Sequence, residues 1–187
     1  MIRLLLAFCL LALSAAVVSA TSYLPVTFND LVTRADVIFA GEVIDVRPFS
    51  LQTRDGTIIK TRVVFRVADP VFGTTSALEV FDFLGGEWGG IGLAVAEMPT
   101  FAIGDRRVVF ARRERSINPI VGFTQGLLRI ERDSTGVDRV FTLDGLPLER
   151  TENIGLLRTP IVGPATPMRL SDVLARINRT LIELRRR

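Results

Sequence analysis

Ile59-Lys60-Thr61-Arg62-Val63-Val64-Phe65-Arg66-Val67 is the clearest strand signal in the chain. Ile59, Thr61, Val63, Phe65 and Val67 alternate with Lys60, Arg62, Val64 and Arg66, so one face of an extended chain is apolar and the other mainly cationic. Pro70 and Gly73 punctuate its end. Upstream, Asp55-Gly56 is a hairpin turn signal, and Pro48 to Gly56 reads as the loop that carries it. Before that loop, Val37 to Arg47 (VIFAGEVIDVR) has the β-branched content and rough alternation of a second strand, and Gly41 inside it predicts a bulge or close packing.

Working outward, Thr27 with Asp30 three residues on resembles a capping box with Asp in place of Glu. Phe28, Leu31, Val32 and Ala35 follow at helical spacing, which predicts a short leading helix. Downstream, strands are predicted at Leu78 to Leu84, Arg107 to Arg113, Pro119 to Gly122, Leu127 to Arg132 and Val137 to Leu143, the last two joined by the Asp133-Ser134-Thr135-Gly136 turn. Residues 147–169, punctuated by Pro147, Pro160, Gly163, Pro164 and Pro167, read as a long irregular connection. Residues 170–187 then read as an amphipathic helix with Ser171 as N-cap, Val173, Leu174, Ile177, Leu181 and Leu184 on its apolar face, and Arg185 to Arg187 favouring its C-terminal dipole. Six or seven short strands with a helix at each end predict a mainly β fold, and an antiparallel OB-like barrel over residues 21–146 is the expected architecture.

The first 20 residues have a different character. Arg3 is followed by an uncharged stretch from Leu4 to Val18 and by the small-residue site Val18-Ser19-Ala20, the order of a signal peptide cleaved between Ala20 and Thr21. The competing reading is an uncleaved membrane anchor, since Leu4 to Ala20 approaches the length of a span. Cleavage implies an extracytoplasmic protein, periplasmic or secreted, and membrane contact only if the segment is retained. Cys9 departs with the segment, leaving a mature chain free of cysteine and without disulfides. A chain of this length can bury enough surface to do without them.

Arg3 is the sole charge in the leading segment, so the 23 basic and 20 acidic residues of the chain become 22 and 20. That near balance gives no expectation of nucleic-acid binding, despite a pI near 9.9. Lys60 is the only lysine and reads as a solvated strand residue. With no His and no Cys outside the leader, Ser-His-Asp and Cys-His catalysis and ordinary zinc sites are excluded. The carboxylates, among them Asp82, Asp105, Asp133, Asp138 and Asp144, lack the dense spacing of a calcium loop, and Asp133 reads as a turn residue.

Gly85-Gly86-Glu87-Trp88-Gly89-Gly90-Ile91-Gly92 places five glycines around the only tryptophan. It lacks the Lys-Ser/Thr of a phosphate loop, and no cofactor is expected. Either its glycines let the backbone pass close to the barrel while Trp88 caps the mouth, or Glu87, Trp88 and Ile91 form a surface loop that docks a partner. Arg106, Arg107, Arg112, Arg113 and Arg115 make a locally basic strand, read chiefly as a solvated face.

Thr61, Val63, Phe65, Val67, Gly73, Gly85-Gly86, Gly89-Gly90, Pro99, Phe101, Gly104, Val108, Phe110, Gly122 and Gln125-Gly126 follow in an order that resembles a family of uncharacterised bacterial exported proteins, some encoded beside matrixin-like metalloproteases. Leu31 to Val43 (LVTRADVIFAGEV) and Leu170 to Ile177 (LSDVLARI) carry the same likeness, which brings no established activity. More remotely, Ala35 to Val46, the Thr61-x-Val63-x-Phe65-x-Val67 strand and Gly104-x-x-x-Val108-x-Phe110 resemble netrin-like modules, the OB-type barrels of tissue metalloprotease inhibitors. Those inhibitors chelate zinc through an N-terminal cysteine; here the mature end would be Thr21-Ser22, so only the barrel is implied. The function expected is that of an exported, non-catalytic binding domain contacting another exported or envelope protein. A structural or accessory envelope component, meeting an anionic surface through the arginine-rich C-terminal helix, and a hydrolase using carboxylates alone are the alternatives.

Overall fold

The structure is a computed structural model, and it describes residues 24–74, 76–114, 116–155 and 165–186. The leading segment with its Ala20–Thr21 site, most of the proline-rich connection, Arg115 and Arg187 lie outside the described residues. No helix among the described residues is long and apolar enough to cross a membrane.

Helix α1, Phe28–Arg34, begins at the predicted box. Thr27 Oγ1 accepts from the Asp30 N–H at 3.1 Å, and Asp30 Oδ2 accepts from the Thr27 N–H at 3.3 Å. The shorter Asp side chain therefore closes the box, and Phe28, Leu31 and Val32 are buried on one face.

Strands β1 (Val37–Thr53) and β2 (Gly56–Phe72) are 17 residues each and form one long antiparallel hairpin with Arg54-Asp55 at its turn. Both outrun the sequence expectation, because Pro48 and Pro70 sit inside strands instead of ending them. The register explains this. Strand β6 (Arg106–Ala111) covers the other edge of β1 only from Val37 to Glu42, and β3 (Leu78–Leu84) covers β2 only from Lys60 to Arg66. Each proline thus lies where its strand has a partner on one side only, and a missing N–H is tolerated there. Register shifts at Ile38/Phe39, Ala40/Gly41 and Val43/Asp45 bend β1, as bulges do. Gly41 is needed at this bend, since a Cβ there would stand 2.6 Å from the Arg66 carbonyl oxygen.

Strands β4 (Gly86–Trp88) and β5 (Ile91–Leu93) make a separate small hairpin. Strands β7 (Leu127–Arg132) and β8 (Asp138–Thr142) complete the main sheet, ordered β3-β2-β1-β6-β7-β8 and antiparallel throughout. Among the described residues no ladder joins β3 to β8, so the architecture is an open six-stranded sheet rather than a closed ring of strands. The strand expected at Pro119 to Gly122 reduces to one bridge, Ile120 to Ala111, because the chain turns at Gly122 and Phe123, both at positive φ.

Each face of the sheet is covered over part of its width. Ile38, Ala40, Val108, Phe110, Leu128 and Val140 pack against α1 and against α2, Leu170–Arg185. Val37, Phe39, Val43, Val63, Phe65, Phe81, Phe83 and Val109 form a second core inside the curl of β1–β3, with Met98 and Phe101 packed against it. Helix α2 starts at Leu170 with Arg169 as its N-cap, two residues ahead of the predicted Ser171, because Leu170 is already buried against the sheet. Val173 and Ile177 are buried as expected, whereas Leu184 is exposed.

Candidate functional site

The glycine-rich segment is folded, and its sequence dictates how. Gly89 and Gly90 have φ of +58° and +79°, the conformation a two-residue hairpin turn asks for, and Trp88 pairs with Ile91 across it. At the base, the Gly85 N–H donates to the Ile59 carbonyl at 2.8 Å, and the Thr61 hydroxyl donates to the Gly85 carbonyl at 2.8 Å. The backbone at Gly86 runs so close to Thr61 and Pro48 that a Cβ there would meet both side chains. Hence the glycines do let the chain pass close to the sheet. Trp88 keeps about half of its surface in solvent, 48% exposed, with Ile91 67% exposed and Glu87 and Leu93 exposed beside them. The three residues singled out in the sequence therefore stand together on one projecting hairpin, and Glu87 forms no ion pair among the described residues.

The basic strand behaves differently from a free cationic face. Arg106 makes two hydrogen bonds to Asp138, at 2.8 and 2.6 Å, and Arg132 Nε adds a third at 3.1 Å. The Arg106 hydrogen bonds, then Arg132, hold the Asp138 carboxyl down at about 2. Arg107 is buried and reaches Asp105 at 2.7 Å; burial pulls its pKa below the ordinary arginine value. Arg112 pairs with Glu114 at 2.7 Å, and Arg113 with the buried Glu79 at 3.0 Å. Asp133 closes its turn by accepting from Thr135, Val137 and Arg139, with the Thr135 hydroxyl the main cause of a pKa well below the usual carboxylate range. Among the described residues no group of three His, Cys, Asp or Glu side chains could hold a metal ion.

Sequence reasoning missed one feature. A cleft of about 580 Å³ opens between the end of the β1–β2 hairpin at Leu51, Ile58 and Lys60, the outer edge of β3 at Val80 and Asp82, and residues 112–114, 116 and 119. Its only sequence signal is the inverted alternation of β3, in which Leu78 and Val80 face out, 45% and 50% exposed, while Glu79 turns inward.

Comparison with protein-family models, with curated proteins and with solved structures gives no match for this chain.

Proposed function

We propose that the chain is an exported, non-catalytic binding domain, docking another exported or envelope protein through Glu87, Trp88 and Ile91. The observation that carries this reading is the half-exposed Trp88 set beside Ile91 at the tip of a hairpin whose turn is glycine-built. Aromatic anchors of this kind dominate interface energetics, and an exposed apolar pair on a projecting turn contributes little to the fold that carries it. The absence of histidine and the pairing of Asp138, Asp133, Asp82 and Glu79 with arginines support contact over catalysis, because the carboxylates are already engaged. The residues 1–20 pattern supports the extracytoplasmic location. The bulged curl of β1 around a phenylalanine-rich interior supports an OB-like, netrin-like ancestry for the sheet.

The test is capture by crosslinking of residues 21–187 in the exported fraction of its own cells, followed by titration of the purified partner. Trp88→Ala is expected to weaken binding by about 30-fold or more, a loss of about 2 kcal/mol. Unchanged affinity in a folded Trp88→Ala protein contradicts the proposal.

One observation favours a second reading, an accessory envelope component. The outer face of α2 exposes Arg179, Ile182, Arg185 and Arg186 together. Because Val173 and Ile177 anchor α2 in the core, the suitable variant is Arg179→Glu with Arg185→Glu, not truncation. Release from the envelope by this pair, with Trp88→Ala silent, would favour that reading.

A further inference from the structure

Strand β3 is an edge strand with a slit beside it. The Val67 N–H donates to the Ala77 carbonyl and the Gly85 N–H to the Ile59 carbonyl, so the odd-numbered residues of this stretch turn their backbone groups toward β2. Leu78, Val80, Asp82 and Leu84 therefore turn theirs away from it. Leu84 finds a partner there, donating to the Ile117 carbonyl at 2.8 Å. At the other end Arg113 crosses to Glu79 and also donates to the Gly73 carbonyl at 2.9 Å. Between these two ties, the N–H and C=O groups of Val80 and Asp82 have no backbone partner among the described residues, and they border the cleft.

The geometry points to strand addition: the β3 edge receives an extended segment of another polypeptide, with apolar side chains on alternate residues and a carboxylate opposite Lys60. This goes beyond the Trp88 hairpin and uses a different surface. Backbone pairing would come from Val80 and Asp82, and alternate apolar side chains would meet Leu51, Ile58 and Val80. The acidic preference follows from charge bookkeeping in the cleft. Arg112 is matched by Glu114, Arg113 by Glu79, and Asp82 by two hydrogen bonds from Arg62, whereas Lys60 has no acidic partner among the described residues. A second folded copy fits poorly, since residues 112–114 and 116–119 stand beyond the edge and are tied across it at Glu79 and Leu84.

The experiment uses a fluorescein-labelled heptapeptide of alternating valine and threonine with a central glutamate, titrated into residues 21–187 and read by anisotropy. Saturable binding is expected, weakened at least tenfold when the peptide's glutamate becomes lysine and abolished when its alternate amides are N-methylated. Lys60→Glu should weaken binding at least tenfold. Val80→Pro should abolish it while keeping the fold, because the Val80 N–H points away from β2. Trp88→Ala should bind the peptide like the parent, which separates this inference from the hairpin reading. No binding, equal binding of the N-methylated peptide, or indifference to both protein variants overturns the proposal. So does a concentration-dependent dimer, seen by light scattering and removed by Val80→Pro, which would assign the edge to a second copy.

Discussion

The phenylalanine interior and the Trp88 hairpin are joined by a single residue, Gly85, yet they treat aromatic surface in opposite ways. Inside the curl, Phe39, Phe65 and Phe81 are almost fully buried, with Phe39 and Phe65 edge to face at 5.6 Å and Phe39 stacked on Phe81 at 6.4 Å. Phe101 completes the group, 5.8 Å from Phe65 and 4.7 Å from Phe83. On the hairpin, Trp88 keeps about half its surface in water and pairs only with another exposed side chain. The first arrangement holds the sheet in its bent form. The second leaves aromatic surface in water, and that exposure is what makes it readable as an interface.

The sharpest way to break this contrast is to swap the expected costs. Phe65→Ala should lower stability by about 3–5 kcal/mol in a denaturant titration, since it empties the centre of a packed aromatic group. A cost below about 1 kcal/mol would mean the interior is not the packed region described.

The charged seam of β6, β7 and β8 ranks next. Asp138→Asn removes charge-assisted bonds from Arg106 and Arg132 and is expected to cost about 1–3 kcal/mol at neutral pH. Because the folded Asp138 is held at about 2, below its ordinary value, its contribution is full above about pH 4 and is lost as pH falls from about 4 to 2. Stability measured across that window should fall more steeply in the parent than in Asp138→Asn; equal slopes would remove the seam from the account.

Trp88→Ala should change stability by no more than about 0.5 kcal/mol, the smallest effect of the series. As the only tryptophan, Trp88 also reports directly: its emission should be red-shifted and readily quenched by acrylamide in the free protein. A blue, protected emission would place it in an interior and erase the comparison.

Much of the fold was legible because local and tertiary signals agree. Strands β3 and β7 begin and end where their turn residues say, and the Thr27–Asp30 box opens α1. The extension of β1 through Pro48 was not legible, because a proline reads as a break unless the neighbouring strand's reach is known, and β6 stops at Glu42. Closure of the sheet was likewise beyond reach, since strand count and turn spacing do not say whether edges meet. For the candidate site, Glu87, Trp88 and Ile91 could be named from composition, and Gly89-Gly90 fixed the turn that gathers them. The β3 cleft could not, because Lys60, Val80 and Pro119 come together only through the sheet order.

The central claim, that the Trp88 hairpin meets a partner, is tested most directly by site-specific photocrosslinking in cells. A benzoylphenylalanine at position 91, beside Trp88, is expected to capture one discrete exported or envelope protein, lost in a Trp88→Ala background. The same group at position 134, in the exposed β7–β8 turn, is expected to capture none of it. Equal capture from both positions, or capture from position 91 indifferent to Trp88→Ala, would contradict the account.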